Sequence, residues 1–423
     1  MAETSIVQPK KVRNYAVDFW RFFATLAVCW GHFANVGFRF TDGGVNYPDG
    51  LPFQEGSVLG VFLILTGYFL MKSFAGKKAR GQLEGKTPSQ NALTYLKTRF
   101  IGLWPALFMG VLVGFVVGGI GAYTGLWHGK LLTVGDEFNG ILDVIAGINT
   151  NILQFMGLDA LGMLGDTGWA YQYNSPLWYI SVIFVAGYFL YYALCKNEDV
   201  TRGLIVPAIL VIIPSVWAYS DLSMNDRGTL FLGLFDNAIA FGGWGMALGI
   251  FLYRPYEAFR TMKLTEKGKK ILTVISVLLF VYMAYLFIMG ADGIYAASTD
   301  DTRINSEIYI DLVVAVGLAF AVANQDYFTQ KVLNKPIFGT LGKFSLYYFI
   351  VHIVVINVVC GLVGGENVTT AFDYYLWLVV VNVICFVVGW VMQQICEKGI
   401  TPLLNRLDQN IQAAIARGKE EAA

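Results

Sequence analysis

Charged residues are scarce in this chain, at 14% of its 423 residues, while apolar residues make up 56%. A soluble domain carries nearer a quarter charged residues, so the composition excludes an ordinary soluble enzyme. Cysteine is also sparse: the five cysteines are odd in number, sit in or beside apolar runs and form no CxxC pair. They are interpreted as packing residues, not as a disulfide framework or zinc ligands.

Several catalytic signatures are missing as well. There is no GxSxG, so a serine-hydrolase elbow is unsupported. No HxxxxD follows any of the three histidines, and no P-loop or Rossmann glycine pattern occurs between a strand and a helix. We therefore expect neither a bound metal nor a nucleic-acid partner.

What the chain does have is a series of apolar runs that reach or approach the length of about 20 residues needed to cross a bilayer. They predict an all-α, polytopic membrane protein with about ten transmembrane helices. The spans are placed at residues 15–37, 57–74, 100–120, 176–195, 203–219, 232–253, 271–290, 307–324, 343–363 and 374–396.

The distribution of lysine and arginine predicts the orientation. Of the 30 basic residues, 25 fall in the connections on one side, and only Arg39, Lys130, Arg227 and Arg303 fall on the other; Arg21 lies inside a span. Cytoplasmic connections carry this excess, so both termini are predicted to be cytoplasmic. A further apolar stretch runs from Ile141 to Leu158. If it were an eleventh span, every later connection would change sides and the basic ones would lie outside the cell. The stretch is interpreted as part of an extracytoplasmic excursion.

The predicted organisation has three parts. The basic N-terminus resembles a cytoplasmic leader more than a cleaved signal peptide, because no small-residue cleavage site follows it. The tail has Pro402 at a helix start and Leu403, Leu407, Ile411 and Ile415 at four-residue spacing, which predicts an amphipathic helix. The boundaries are 1–14 for the leader, 15–396 for the membrane domain with its excursion at 121–175, and 397–423 for the tail.

A polar stripe in the first span is where chemistry is most expected. Arg21 and His32 are eleven residues apart, so they project from one helix face about 16 Å apart along the axis. Asp18 and Thr25 continue the stripe. Ionisable groups inside a membrane helix are costly and normally mark a functional path.

Five landmarks resemble the acyltransferase-3 family of integral membrane O-acyltransferases, in its stand-alone form without a fused extracytoplasmic hydrolase-like domain. They occur in the family's order and extend over most of the chain. They are DFWRFFATLAVCWGHF in the first span, LILTGYFL from Leu63, YLKTRFIGLWP from Tyr95, SPLWYISVIF from Ser175 and GKFSLYYFIVH from Gly342.

The chain departs from the family pattern at two positions. The family often has two arginines at the entry to the third span; here Arg99 holds the first place and Gly102 the second, with Lys97 as a candidate substitute. Ile183 stands where many members carry a glutamate after Ser-Val.

The resemblance implies transfer of an acyl group, with acetyl expected, from cytoplasmic acyl-coenzyme A to a hydroxyl of a lipid-linked or cell-surface glycan. His32 would be the catalytic base, Arg21 would place the donor, and Asp18 would orient Arg21. Arg99, Lys97 and Arg21 would bind the coenzyme, since arginine and lysine hold phosphates. The residues expected to bind the acceptor are His352, Ser345, Asp236, Trp178 and Asp311.

Plain structural roles stay open for these residues. His32 and His352 could be packing histidines, Arg21 and Asp18 a structural ion pair, and Lys97 an ordinary anchoring lysine. Trp178 could belong to an interfacial aromatic belt, and Asp311 to a solvated helix start.

The rival function is a multi-helix transporter or flippase of a small anion or glycolipid, although no repeated halves are found. The expected location is a cell membrane, the bacterial inner membrane in particular. Membrane lipid is an expected partner, and the oligomeric state is left open.

Overall fold

The structure is a computed structural model that describes residues 13–34, 40–42, 45–47, 55–126, 148, 151–161, 174–220, 222, 229–289, 306–364, 368 and 370–421. In these ranges it is almost entirely helical. The long helices are α1 (Tyr15–His32), α2 (Glu55–Ala79), α3 (Pro88–Thr124), α4 (Trp178–Lys196), α5 (Val206–Tyr219), α6 (Asn237–Thr261), α7 (Glu266–Met289), α8 (Ser306–Ala323), α9 (Pro336–Val363), α10 (Ala371–Ile395) and α11 (Thr401–Glu421).

Short elements connect the long helices. Two antiparallel ribbons pair β1 (Phe40–Asp42) with β2 (Val45–Tyr47), and β3 (Leu230–Phe231) with β4 (Phe235–Asp236). Two 3₁₀ turns, Asp159–Leu161 and Ser175–Leu177, precede α4. One helical turn, Glu198–Val200, precedes α5, and wider π-helical turns precede α5, α9 and α11 at Thr201–Ile205, Thr329–Leu333 and Cys396–Ile400.

The prediction of an all-α, multi-pass membrane protein is confirmed, and each of the ten predicted spans overlaps one of α1 to α10. Within the described ranges, seven helical segments are long and apolar enough to cross a membrane; α1, α6 and α8 are not among them. α1 carries charged residues, α6 is rich in glycine, and the apolar part of α8, Ile308–Ala323, is shorter. Most of the predicted excursion at 121–175 lies outside the described residues.

Glycines bring the central helices into close contact. A Cβ on Gly249 of α6 would lie 2.1 Å from the backbone oxygen of Ile64 in α2, and one on Gly67 of α2 would lie 1.9 Å from the backbone oxygen of Met246. No side chain fits at such distances, which is why small residues occur where helix backbones touch. Gly249 and Gly67 therefore allow the backbones of α6 and α2 to touch.

The position of α1 is determined by contacts at its N-terminus. Asn14 caps the helix by accepting a hydrogen bond from the Ala16 backbone nitrogen, and its amide donates to the Ala321 carbonyl of α8 at 2.7 Å. A Cβ on Gly342 of α9 would lie 2.6 Å from the Cβ of Asp18. α1 and α9, more than 300 residues apart in the chain, thus pack directly against each other where the polar stripe of α1 begins.

Candidate functional site

Asp18 lies at the start of the stripe and is 3% exposed. It accepts a hydrogen bond from Nε of Arg13 at 2.7 Å, whereas the nearest guanidinium nitrogen of Arg21 is 3.5 Å away. This hydrogen bond raises the pKa of Arg13. Arg13 also donates to the Gly339 carbonyl of α9 at 3.1 Å. Asp18 therefore neutralises Arg13 more than Arg21. Arg13, in turn, links Asp18 of α1 to the backbone of α9.

A cavity of about 290 Å³ opens beside Arg21, between α1, α2, α3, α4 and α9. Its lining combines cations, hydroxyls and apolar side chains. The cations are Arg21, Arg99 and Lys343; the hydroxyls are Thr25, Thr66, Tyr179 and Ser345; the remainder are Phe62, Leu65, Leu103, Ile183, Gly342, Leu346 and Phe349.

The three cations come from three different helices, and none of the described lining residues is acidic. The guanidinium of Arg21 lies 5.1 Å from the ring centroid of Phe69, and that of Arg99 lies 5.3 Å from that of Tyr95. Such contacts favour a cation over a ring face and limit where it can turn. Among the described residues, Asp18 is the one carboxylate within ion-pair distance of these three cations, and it lies closer to Arg13 than to Arg21. The described lining of the cavity therefore carries an excess of positive charge.

Three of the four lining hydroxyls donate their protons to carbonyls of their own helices. Thr25 donates to the Arg21 carbonyl at 2.9 Å, Thr66 to the Phe62 carbonyl at 2.7 Å, and Ser345 to the Gly342 carbonyl at 2.9 Å. Their oxygens therefore retain lone pairs that can accept hydrogen bonds.

The two histidines lie together further along α1. Nε2 of His352 is 3.4 Å from Nδ1 of His32, and the ring centroids are 5.0 Å apart. Nδ1 of His32 is also 3.0 Å from the Val28 carbonyl oxygen, one turn earlier in α1. His352 is fully buried, and its own Nδ1 is hydrogen-bonded to the Phe349 carbonyl. Two helices distant in sequence thus form one imidazole pair.

A cluster of aromatic side chains extends from the cavity to this histidine pair. The ring of Phe349 lines the cavity and lies 5.4 Å, centroid to centroid, from the ring of His352. Phe62 and Tyr179 lie 6.2 Å and 6.1 Å from Phe349. We call Phe62, Tyr179 and Phe349 the aromatic wall.

Of the other predicted site residues, some line the cavity and others do not. Arg99 and Ser345 line the cavity with Arg21, but Lys97 does not: its amine is 2.8 Å from a carboxylate oxygen of Asp408 in α11. Trp178 is 1% exposed and packs against Phe241.

Neither of the two predicted acceptor-binding aspartates lines the cavity. Asp236 caps α6 by accepting from the Ala238 backbone nitrogen at 2.7 Å. Asp311 is buried in α8, where a carboxylate oxygen lies 1.7 Å from the position of a Cβ on Gly60. Its side chain therefore occupies the space that this glycine leaves open.

Sequence reasoning did not select Lys343, Thr66 or Tyr179 for the site. Lys343 lies near the start of an apolar run, where a lysine is usually an anchoring residue. Its proximity to Arg21 results from the α1–α9 contact, which one sequence does not reveal.

Comparison with known proteins supports the resemblance seen in the motifs. A family model described as an acyltransferase domain, the acyltransferase-3 model, matches residues 14–392. No curated protein and no solved structure matches the chain. The matched range begins one residue before α1, ends within α10 and includes every residue of the cavity and the histidine pair.

Proposed function

The chain belongs to the acyltransferase-3 family, and from that premise we propose that it transfers an acyl group, with acetyl expected, from acyl-coenzyme A to a hydroxyl of a lipid-linked or cell-surface glycan. The observation that carries the proposal is the positively charged cavity between Arg21, Arg99 and Lys343. Coenzyme A is an anion with several phosphate groups, and guanidinium groups bind phosphate through paired hydrogen bonds.

The size of the cavity limits what it holds. Pockets that bury a drug-sized ligand are typically about 300–1,000 Å³. At about 290 Å³ this cavity accepts one part of coenzyme A and not the whole molecule. Its cations suit a phosphate group, while Leu65, Leu103 and Leu346 suit the less polar arm that carries the thioester.

His32 supplies the base in this proposal. A hydroxyl is a weak nucleophile until its proton is removed, and histidine suits that task near neutral pH. The acceptor oxygen attacks the thioester carbonyl carbon as His32 takes its proton. The carbon–sulfur bond then breaks, and coenzyme A leaves as a thiolate that takes up a proton.

The proposed orientation has both termini in the cytoplasm and ten spans. Arg13, Arg99 and Lys343 then lie at the cytoplasmic end, where acyl-coenzyme A is available. His32 lies about 16 Å further along α1 from Arg21, towards the acceptor.

The test is release of free coenzyme A by purified protein given acetyl-coenzyme A and candidate glycans, followed by mass spectrometry of the glycan. We expect transfer by the wild-type protein and none above background by His32→Ala. A folded wild-type protein that binds coenzyme A but acylates no glycan would contradict the proposal, and so would undiminished transfer by His32→Ala.

The rival function, transport of an anion, would also use a positively charged cavity. Liposomes that contain the protein distinguish the two. A transporter would move labelled anion across the bilayer without breaking a thioester, whereas the proposed enzyme releases thiol in proportion to acylated glycan.

A further inference from the structure

The histidine pair determines which nitrogen of each ring carries the proton. In His352, Nδ1 is hydrogen-bonded to the Phe349 carbonyl, and a carbonyl oxygen can only accept. Nδ1 of His352 therefore carries the hydrogen. Because the ring is fully buried against a second imidazole, the neutral form is favoured, and a neutral ring protonated at Nδ1 has its lone pair on Nε2.

The same reasoning applies to His32. Its Nδ1 is 3.0 Å from the Val28 carbonyl oxygen, so this nitrogen is also the donor. Nε2 of His352, which carries the lone pair, is 3.4 Å from Nδ1 of His32. One N–H group of His32 thus has two acceptors beside it, and neither can donate to it.

We infer that His352 is a positioning residue that, together with the Val28 carbonyl, holds His32 in the Nδ1–H tautomer and leaves Nε2 of His32 as the proton acceptor. The nitrogen of a histidine that carries the proton is set by the hydrogen bond that the other nitrogen makes. The 3.4 Å separation is long for a hydrogen bond, so His352 contributes through ring orientation and choice of tautomer more than through bond strength.

This role rests on the proposed function only where it concerns catalysis. When Nε2 of His32 takes a proton from the acceptor hydroxyl, the resulting imidazolium still donates from Nδ1 to both acceptors. The ring therefore does not have to turn during the reaction. A fixed orienting partner of this kind serves catalytic and metal-binding histidines in other sites, where its loss costs about 10- to 100-fold in activity.

The tautomer can be measured without an activity assay. The chain has three histidines, so ¹⁵N-histidine labelling gives at most six ring-nitrogen signals, and His128→Ala reduces them to four. We expect His32 and His352 both to show a protonated Nδ1 and an unprotonated Nε2 at neutral pH. A protonated Nε2 on neutral His32 would overturn the inference, whether or not the protein transfers acyl groups.

Kinetics then separate positioning from packing. His352→Phe keeps the ring volume and removes the acceptor, whereas His352→Gln places an amide oxygen near the former Nε2. We expect His352→Phe to lower kcat about 10- to 100-fold with an unchanged KM for acyl-coenzyme A, and His352→Gln to recover most of the loss. Equal kcat values for the two variants, or a higher value for His352→Phe, would overturn the inference, because packing alone favours phenylalanine.

Tyr348→Phe is the matched control in the same helix contact. Tyr348 is buried in α9, and its hydroxyl donates to Asn382 of α10 and faces Cys29 of α1. Its loss removes a buried hydrogen bond without touching either imidazole. We expect lower thermal stability at unchanged kcat; a kcat as low as that of His352→Phe would assign both effects to disturbed packing and overturn the positioning role. If the wild-type protein acylates nothing, the proposed function fails, while the tautomer measurement still decides the structural part.

Discussion

Lys343 is expected to supply a phosphate contact that Gly102 does not provide. Lys343 lines the cavity together with Arg21 and Arg99, and it belongs to α9. Gly102 belongs to α3, where it lies one helical turn after Arg99. A Cβ added at Gly102 would meet no atom within 4 Å, so a side chain can begin there without a clash. The perturbation is therefore a charge exchange, in which Lys343→Ala removes one cation and Gly102→Arg adds one.

The expected loss of coenzyme A affinity depends on how exposed Lys343 is to solvent. A hydrogen bond to a charged group contributes about 1.5–3 kcal/mol when shielded from water. Lys343 is exposed at the mouth of the cavity, where solvent screening reduces such a contact to about 1 kcal/mol. Since about 1.4 kcal/mol is a factor of ten, we expect Lys343→Ala to weaken coenzyme A binding about fivefold. Adding Gly102→Arg should restore most of that loss.

The assay is calorimetric titration of purified protein with coenzyme A at two salt concentrations. Lys331→Ala is the matched control, since Lys331 is an exposed lysine in the turn before α9 that stacks on Tyr327 and does not line the cavity. Equal dissociation constants for Lys343→Ala and Lys331→Ala would refute the reasoning, as would a double variant with Gly102→Arg that binds no better than Lys343→Ala. The loss should shrink at high salt, because screening weakens exposed charge contacts.

Two further predictions concern single residues. Arg21→Lys should raise the KM for acyl-coenzyme A about tenfold in steady-state kinetics, because an ammonium cannot reproduce the forked guanidinium; an unchanged KM would remove Arg21 from the donor site. Glu257 of α6 tests a helix contact: burial opposes its ionisation, but hydrogen bonds from Lys72, Tyr68 and Arg260 lower its pKa to about 2. Its stabilising contribution is therefore present above the unfolded pKa of about 4.3 and lost as pH falls towards 2. Thermal scans between pH 7 and pH 3 should show a steeper loss of Tm for the wild-type protein than for Glu257→Gln, and parallel losses would contradict this assignment.

The helices and the polar stripe could be predicted because both depend on local pattern. Apolar runs locate the long helices, and helical spacing alone places Asp18, Arg21 and His32 along one side of α1.

The histidine pair and the third cation depend on which helices touch, and local pattern does not contain that information. His32 and His352 are 320 residues apart, and they meet because α1 packs on α9. Lys97 shows the converse. Its place beside Arg99 suggested a phosphate contact, but the amine is paired with Asp408, which belongs to a helix more than 300 residues later in the chain.

Phe349 of the aromatic wall contacts both parts of the proposed site, the cavity and the histidine pair. Reacting atoms must approach to about 3–3.5 Å. The ring of Phe349 lines the cavity and also packs against the ring of His352. We expect the thioester arm to pass Phe349 during the proposed transfer, by rotation of the Phe349 side chain or by a small shift of α9. Because Phe349 also provides the carbonyl that holds Nδ1 of His352, its backbone must stay in place while its ring moves. Side-chain rotation satisfies both requirements, whereas a shift of the α9 backbone would disturb the histidine pair at the moment it is needed.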